Sequence, residues 1–530
     1  MESPEDSAGR APQAPRKDEH GGAHFIVASS VKVLVSQFGT LALSIGFTIY
    51  LARVLTKDAF ATFVVFGILS GMSKMATTLG LDSTVVQKVP GDIRAGELAH
   101  ACAYMKTAFL SRLVMVTALA AALAVFATQV AEVFLKDAGY ASLVRCMIPA
   151  LCLLAVVDGL QMQAQAVRQF GMRSWSDVSM SILTLVGSMG AYFVWGLPGY
   201  YLGATIGPLS AMIILLLSQR RYLFMRGVRP AAWPAMVRYS IPFYAKGFLR
   251  YSMIEADRVV VAFLMPAAAL ANYGIARKFT DYLRVYGSSV TTPALVKLGE
   301  LRRSGRESLE RGFVLVSRYG ILIIAPVCIL TAVFSPLLTE AFGGAKYRDA
   351  WPILAVLAIA QLIYFMAQVY GVSVVFIMAR PIIVFLQDGL PGIVNLAVSL
   401  FLVSRLGASG MAWSQIVSYG LSLALAMYFA RAFVSVRPDW HAWKVVAAST
   451  LPCVFAVPIA LMSSGSWLLP LLAGVVALAV GVFFGAVAMT PGDWHTINSV
   501  MPRSTTGLMG RVEGGASSMR RRVVALGRGT

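Results

Sequence analysis

The sequence predicts an all-α, polytopic membrane protein of about fourteen spans, built as two related six-helix bundles plus two appended helices. Three observations predict it. Of 530 residues, 58% are hydrophobic and only 13% charged, against about 25% charged in an average soluble domain; mean hydropathy is +0.71. Apolar runs near the ~20 residues that cross ~30 Å of hydrocarbon recur along the chain. Basic residues are dense in every second short loop and sparse in the loops between, as Lys and Arg resist translocation.

Residues 1–24 are polar and rich in Pro, Gly and charge, a composition suited to a disordered cytoplasmic tail. The first apolar stretch begins near Phe25 and is too long for a signal-peptide core, so no cleavable leader is expected. The first bundle, 25–218, holds spans near 31–54, 59–82, 107–129, 141–163, 176–196 and 198–218. Its last two are joined only by Leu197-Pro198-Gly199, so they read easily as one long helix. A basic cytoplasmic loop, 219–238, carries Arg220, Arg221, Arg226, Arg229 and Arg238. The second bundle, 239–435, holds spans near 239–265, 271–296, 313–340, 351–377, 382–403 and 409–432; two more, 445–463 and 467–489, lie in 436–490. A basic tail, 491–530, ends the chain with Arg503, Arg511, Arg520, Arg521, Arg522 and Arg528.

With an even number of spans both termini share one side, and both are basic, which places them in the cytoplasm. The net charge of +20 therefore reads as membrane topology, with a possible supplement from anionic lipid headgroups at the C-terminal arginines, and nucleic acid is not expected as a partner. The five cysteines lie in or beside apolar spans without metal-ligand spacing, and the five histidines form no cluster. No phosphate-binding loop, nucleophile elbow or nucleotide fingerprint is present. These absences exclude the usual ATPase and hydrolase signatures, and no cofactor or metal is expected.

A shift of 210 residues lays Ala52-Arg53-Val54-Leu55 and Ala59-Phe60-Ala61-Thr62-Phe63 on Ala262-Phe263-Leu264-Met265 and Ala269-Leu270-Ala271-Asn272-Tyr273. A shift near 208 brings Phe134 and Tyr140 close to Phe342 and Tyr347. The spacing equals six spans, which indicates parallel repeats.

Spans seven and eight carry more charge than lipid-facing helices tolerate. Lys246, Arg250, Glu255, Asp257 and Arg258 lie in one, and Arg277, Lys278, Asp281 and Arg284 in the other. Each ionisable group near mid-bilayer costs at least about 2.5–3.5 kcal/mol, so such groups normally face a wet path or a partner within the bundle. On a continuous helix, Lys246, Arg250, Met253 and Asp257 form one stripe, and Arg277, Asp281 and Arg284 another. Lys246 then sits ~10 Å and Arg250 ~17 Å from the cytoplasmic end, with Arg284 and, on span two, Lys74 at overlapping depth. These four cations form a candidate anion site. Plainer readings stand beside it: Arg258 and Glu255 snorkel to the interface or pair with each other, Arg277 and Asp281 neutralise each other at i, i+4, and Asp158 is satisfied by Gln161, Gln163 or Gln165.

The residues Ile241-Pro242-Phe243, Glu255-Ala256-Asp257-Arg258-Val259-Val260-Val261 and Ala271-Asn272-Tyr273-Gly274-Ile275-Ala276-Arg277-Lys278 resemble the bacterial polysaccharide (O-antigen type) lipid-linked oligosaccharide flippases. Leu338-Thr339-Glu340-Ala341-Phe342-Gly343-Gly344, Asn395 and Leu406-Gly407-Ala408-Ser409-Gly410-Met411-Ala412 are similar to later landmarks of that family, and Tyr50-Leu51-Ala52-Arg53-Val54-Leu55 and Leu79-Gly80-Leu81-Asp82 to earlier ones. Ala61 departs from the pattern, standing where relatives usually have Gly.

The resemblance implies two bundles around a central cavity, a fold shared with multidrug exporters, and a non-enzymatic role in the inner membrane. The substrate it implies is a glycan on undecaprenyl pyrophosphate, destined for O-antigen, capsule or exopolysaccharide. Substrate binding is expected at Lys74, Lys246, Arg250, Arg277 and Arg284. Coupling to H+ or Na+ is expected at Asp388, beside a helix break, or at Asp257 or Asp281. A polysaccharide polymerase and a chain-length regulator are further expected partners. The alternative is a multidrug or small-molecule cation antiporter on the same fold, which the basic balance of these charges disfavours.

Overall fold

The computed structural model describes residues 44–231, 233–303, 306–378, 385–431 and 440–462, with scattered positions between 476 and 489. The expected span 467–489 and both tails fall mostly or wholly outside these residues. Among the described residues every regular element is helical. Six helical stretches are long and apolar enough to cross a membrane, and Ser44–Val54 and Leu390–Leu406 are shorter apolar helices. The count of fourteen is not fixed by this set.

In chain order the helices are α1 (Ser44–Val54), α2 (Lys57–Thr78), α3 (Leu81–Arg94), α4 (Leu98–Val125), α5 (Ala127–Leu135), α6 (Ala141–Ala166), α7 (Phe170–Gly203), α8 (Ile206–Leu223), α9 (Trp233–Ile254) and α10 (Ala256–Leu264). They continue with α11 (Ala267–Arg303), α12 (Arg306–Val333), α13 (Ser335–Gly343), α14 (Trp351–Met378), α15 (Leu390–Leu406), α16 (Ala408–Ala430) and α17 (Trp440–Met462). Short 3₁₀ turns, Ala138–Tyr140 and Ala345–Ala350, precede α6 and α14, and a π-turn, Phe385–Gly389, precedes α15.

The internal repeat has a structural counterpart. α4 and α12 are each 28 residues long. Each is followed by one phenylalanine, Phe126 or Phe334, and then by a helix of nine residues, α5 or α13. The chain also forms two compact units that interleave along the sequence. Unit 1 comprises Met1–Phe47, Leu81–Ala120 and Cys146–Ser240, and unit 2 comprises Thr48–Gly80, Ala121–Arg145 and Ile241–Thr530.

In unit 1, α7 is two helices fused across Leu197-Pro198-Gly199. Gly196, at φ 64 and ψ −145, takes a conformation reserved for glycine and turns the chain. The two arms close on each other and on α8 without side chains between them: a Cβ on Gly203 would stand 2.1 Å from the Gly187 carbonyl oxygen, and one on Gly207 2.0 Å from Thr184 Oγ1. Small residues let helix backbones approach in this way within lipid. Outward faces of the same helices carry Trp175, Val186, Phe193, Val194 and Trp195, all exposed. A large exposed apolar surface of this kind suits hydrocarbon and not water.

In unit 2, α2 starts at Thr56, whose side-chain oxygen accepts from Ala59 N at 3.3 Å. It packs on α11 where Val64 fills the space left by Gly274, and on α9 where Tyr251 covers Gly71. The core of this unit runs through Met253, Leu283, Ile324, Ala358, Phe365 and Tyr419. The expected span 239–265 is not one helix. It divides at Glu255 into α9 and α10.

Candidate functional site

The division at Glu255 organises the site. Ile254, the last residue of α9, offers a carbonyl at a helix C-terminus, where backbone acceptors lack intrahelical partners. The guanidinium of Arg277, on α11, donates to it through Nη2 at 2.7 Å. Asp257 stands in the first turn of α10, where the helix dipole favours a carboxylate. Its Oδ2 accepts from Arg277 Nε at 2.8 Å, Tyr273 Oη at 2.5 Å and Gln415 Nε2, on α16, at 2.7 Å. Asp257 is 0% and Arg277 1% exposed. Burial of both ions is tolerable only because each is paired and hydrogen-bonded. Arg277 Nη1 completes its set with Thr280 Oγ1 at 2.7 Å and Asp281 Oδ1 at 3.2 Å.

A second tier of charge lies beside this clasp. Arg258 pairs with Asp281 and, at 3.7 Å, with Glu255. Arg284 Nη1 donates to Glu255 Oε1 at 2.9 Å, while its Nε and Nη2 have no hydrogen-bond partner. The Tyr419 hydroxyl is likewise unsatisfied, and its ring lies 5.0 Å from that of Tyr364. Arg250, exposed on α9, reaches Tyr364 Oη through Nη2 at 3.3 Å. Lys278 lies over the Phe63 ring at 5.0 Å. Across these two tiers, five cations (Arg250, Arg258, Arg277, Lys278 and Arg284) face three carboxylates (Glu255, Asp257 and Asp281), so the balance is basic.

The expected residues divide accordingly. Arg277 has its nitrogens committed to protein acceptors, and Asp257 and Asp281 are held by arginines. Arg250 is exposed and hydrogen-bonds the Tyr364 hydroxyl, while Arg284 keeps two buried nitrogens, Nε and Nη2, without a hydrogen-bond partner, the second 3.9 Å from Asp281 Oδ1. Lys74 is half-buried on α2, in the stretch where Gly71 meets Tyr251 of α9. Lys246 lies on α9 and Asp388 in the π-turn, but both side chains are outside the described set.

One expectation is corrected: the single stripe from Lys246 to Asp257 ends at Glu255, because the helix is interrupted there. Arg258 and Glu255 pair at 3.7 Å, as one of the two plainer readings expects, and Arg258, 15% exposed, also bridges to Asp281. Asp158 pairs with Arg112 at 3.6 Å, while Gln161 donates to Asp177, Gln163 to the Met105 carbonyl, and Gln165 accepts from Arg173.

Arg112, 4% exposed on α4 of unit 1, also pairs with Asp82 and donates to the Ala155 carbonyl at 2.7 Å. Sequence reasoning passed over it, although a lone arginine inside an expected span was a sufficient signal. Tyr273 and Gln415 were missed for a different reason: neutral side chains in apolar helices carry no mark until a partner comes near.

Against known structures, this chain superposes on a protein described as lipid II flippase MurJ in an inward closed conformation, with TM-score 0.66 and 12% identity over 85% of this chain and 98% of the other. A multidrug resistance MATE family transporter of the MOP superfamily, inward-facing, matches with TM-score 0.59 and 12% identity over 74% and 94% of the two chains. A MOP superfamily transporter from Pyrococcus furiosus, described as having a binding pocket of reverse polarity, matches with TM-score 0.55 and 11% identity over 77% and 94%. At such identities the likeness establishes the fold. Among curated protein sequences none matches. Residues 50–352 match the family described as polysaccharide biosynthesis protein. That match spans more than half the chain, and the protein is therefore a multi-pass membrane member of the polysaccharide biosynthesis protein family, with the helical fold of these solved structures.

Proposed function

We propose that the protein moves a lipid-linked oligosaccharide, a repeat unit carried on undecaprenyl pyrophosphate, across the bacterial inner membrane for surface polysaccharide assembly. The family match over residues 50–352 carries this reading. The transporter fold and the basic balance of the charged tiers support it. A pyrophosphate bears at least two negative charges and a glycan many hydroxyls, so neither crosses hydrocarbon unaided. Arg250 and Lys246 of α9, Arg284 of α11 and Lys74 of α2 supply cations for the headgroup, while the polyprenyl tail stays in lipid. No bond is made or broken.

Alternating access needs a term that differs between inward and outward states, since equal binding to both shifts nothing. With Asp257 and Asp281 held by arginines, Asp388 is the remaining carboxylate proposed for coupling to H+ or Na+. Both termini are proposed to be cytoplasmic. The test is reconstitution in proteoliposomes with a fluorescent polyprenyl-pyrophosphate oligosaccharide, read by its accessibility to an external glycan-degrading enzyme. A pyrophosphate-free analogue should compete poorly; protein-dependent translocation that such an analogue competes as well as the pyrophosphate-bearing substrate does is the outcome expected without headgroup recognition and would refute the cation site. Export of organic cations with no movement of the glycan would favour the antiporter reading.

A further inference from the structure

Two sets of contacts in unit 2 coincide under the repeat. Lys136 Nζ donates to the Val133 carbonyl at 2.8 Å and the Phe263 carbonyl at 2.6 Å. Lys346 Nζ donates to the Arg53 carbonyl at 3.1 Å and to that of Leu55 at 2.5 Å, while Arg53 Nη2 donates to the Ala341 carbonyl at 2.7 Å. A shift of 210 carries Lys136 onto Lys346 and Arg53 onto Phe263, and a shift of 208 carries Val133 onto Ala341. The same pair of main-chain positions is thus knit by cations twice, once in each direction between the repeats.

Every acceptor lies in or just past the last turn of a helix: Val133 in α5, Phe263 in α10, Arg53 and Leu55 at the end of α1, and Ala341 in α13. A helix C-terminus carries a partial negative charge of about half an electron and unsatisfied carbonyls. Two such ends brought together repel, and a cation between them turns the repulsion into attraction. Beneath the clamps the repeats meet through Phe60 edge-on to Tyr347, centroids 5.6 Å apart, and Val64 against Gly274. The segments 48–80 and 121–145, which contribute the first repeat's share, belong to the compact unit that is otherwise the second repeat.

We infer that these two equivalent cation–carbonyl clamps close the face that the sequence places outside, each tying two helix C-termini from different repeats, and that both release when that face opens. The inference rests on the transport reading and its orientation. Because the acceptors are backbone, only the cations are specified by sequence.

The test uses the full chain with its five cysteines changed to Ala and Val64→Cys as reporter, 6% exposed at the seam beneath the clamps. An impermeant maleimide added outside should label it slowly. Lys136→Met with Lys346→Met should raise that rate about tenfold, as expected for losing charged hydrogen bonds from one side of a two-state equilibrium. Lys136→Arg with Lys346→Arg, which keeps both cations, should stay near the parent rate. In a second arm without the reporter, Lys136→Cys with Phe263→Cys, joined by a reducible cross-linker, should stop glycan translocation until the linker is cut. Labelling unchanged in the Met pair overturns the inference, as does labelling in the Arg pair equal to that in the Met pair. Translocation by the cross-linked chain at the unlinked rate overturns it too. Labelling needs no substrate, so a chain that moves no glycan in any form refutes the transport reading alone and leaves the labelling to decide the clamps.

Discussion

Changing Arg277 to Met removes the guanidinium that fastens α10, α11 and the end of α9 together. Asp257, 0% exposed, would keep only Tyr273 and Gln415 as donors, and the Ile254 carbonyl would lose its Arg277 donor. Removing one member of a buried ion pair typically costs about 3–5 kcal/mol, because the other charge remains buried without its partner. For a chain of this size that is a fall of roughly 3–5 °C in unfolding temperature. Asp257→Asn alone should cost a similar amount by stranding Arg277. Arg277→Met combined with Asp257→Asn removes both charges and should cost about 2–3 kcal/mol less than the sum of the two single losses. The assay is the folded monomer fraction of detergent-solubilised protein after heating for a fixed time, since unfolding of large membrane proteins is usually irreversible. A double variant whose loss equals the sum of the two singles would show that the ions act independently and would refute the clasp.

Arg250, exposed and hydrogen-bonded to the Tyr364 hydroxyl, should behave in the opposite way. Arg250→Ala should leave thermal stability near the parent value and cut glycan translocation by about tenfold or more, with Arg250→Glu lower still; wild-type translocation in the Ala variant rules out a substrate role. Gly203→Val should prevent unit 1 from closing, because a Cβ there stands 2.1 Å from the Gly187 carbonyl oxygen, whereas Gly190→Val on the same helix meets nothing within 4 Å and should be tolerated. Equal yields of folded protein from the two valine variants would contradict the close approach.

Helices were legible because lipid imposes a length and a hydropathy that sequence displays directly. Even the junction at Leu197-Pro198-Gly199 was visible, since Pro and Gly report backbone conformation locally, and Gly196 does carry the positive φ. The i, i+4 spacing of Arg277 and Asp281 foretold their contact at 3.2 Å. What sequence could not give was any pairing set by tertiary approach. Gln415 lies 158 residues from Asp257. Arg112 lies 43 residues from the carbonyl it binds. The interruption at Glu255 falls in a stretch without Gly or Pro, where a distant guanidinium rather than a local residue takes the freed carbonyl. Contacts to main-chain carbonyls are the least readable of all, since every residue type offers the same acceptor.

The interleaving of unit 2 has a consequence for how the chain is made. Its segments Thr48–Gly80 and Ala121–Arg145 leave the ribosome well before Ile241, the start of the stretch they pack with. At about 5–20 residues per second, the roughly 160 residues between Gly80 and Ile241 take about 8–30 seconds to synthesise. Throughout that interval α2 waits without α10, α11 and α13, and α5, made within the interval, waits for the rest of it. The polar groups that α2 later hides, Thr62, Ser73 and Thr77, turn inward by hydrogen bonds within their own helix where these are formed: Thr62 Oγ1 to the Ala59 carbonyl at 2.7 Å and Thr77 Oγ1 to the Ser73 carbonyl at 2.8 Å. A nascent helix that satisfies its own hydroxyls can wait in lipid for a partner not yet translated, and the order of synthesis thereby becomes a constraint on which side chains α2 can carry.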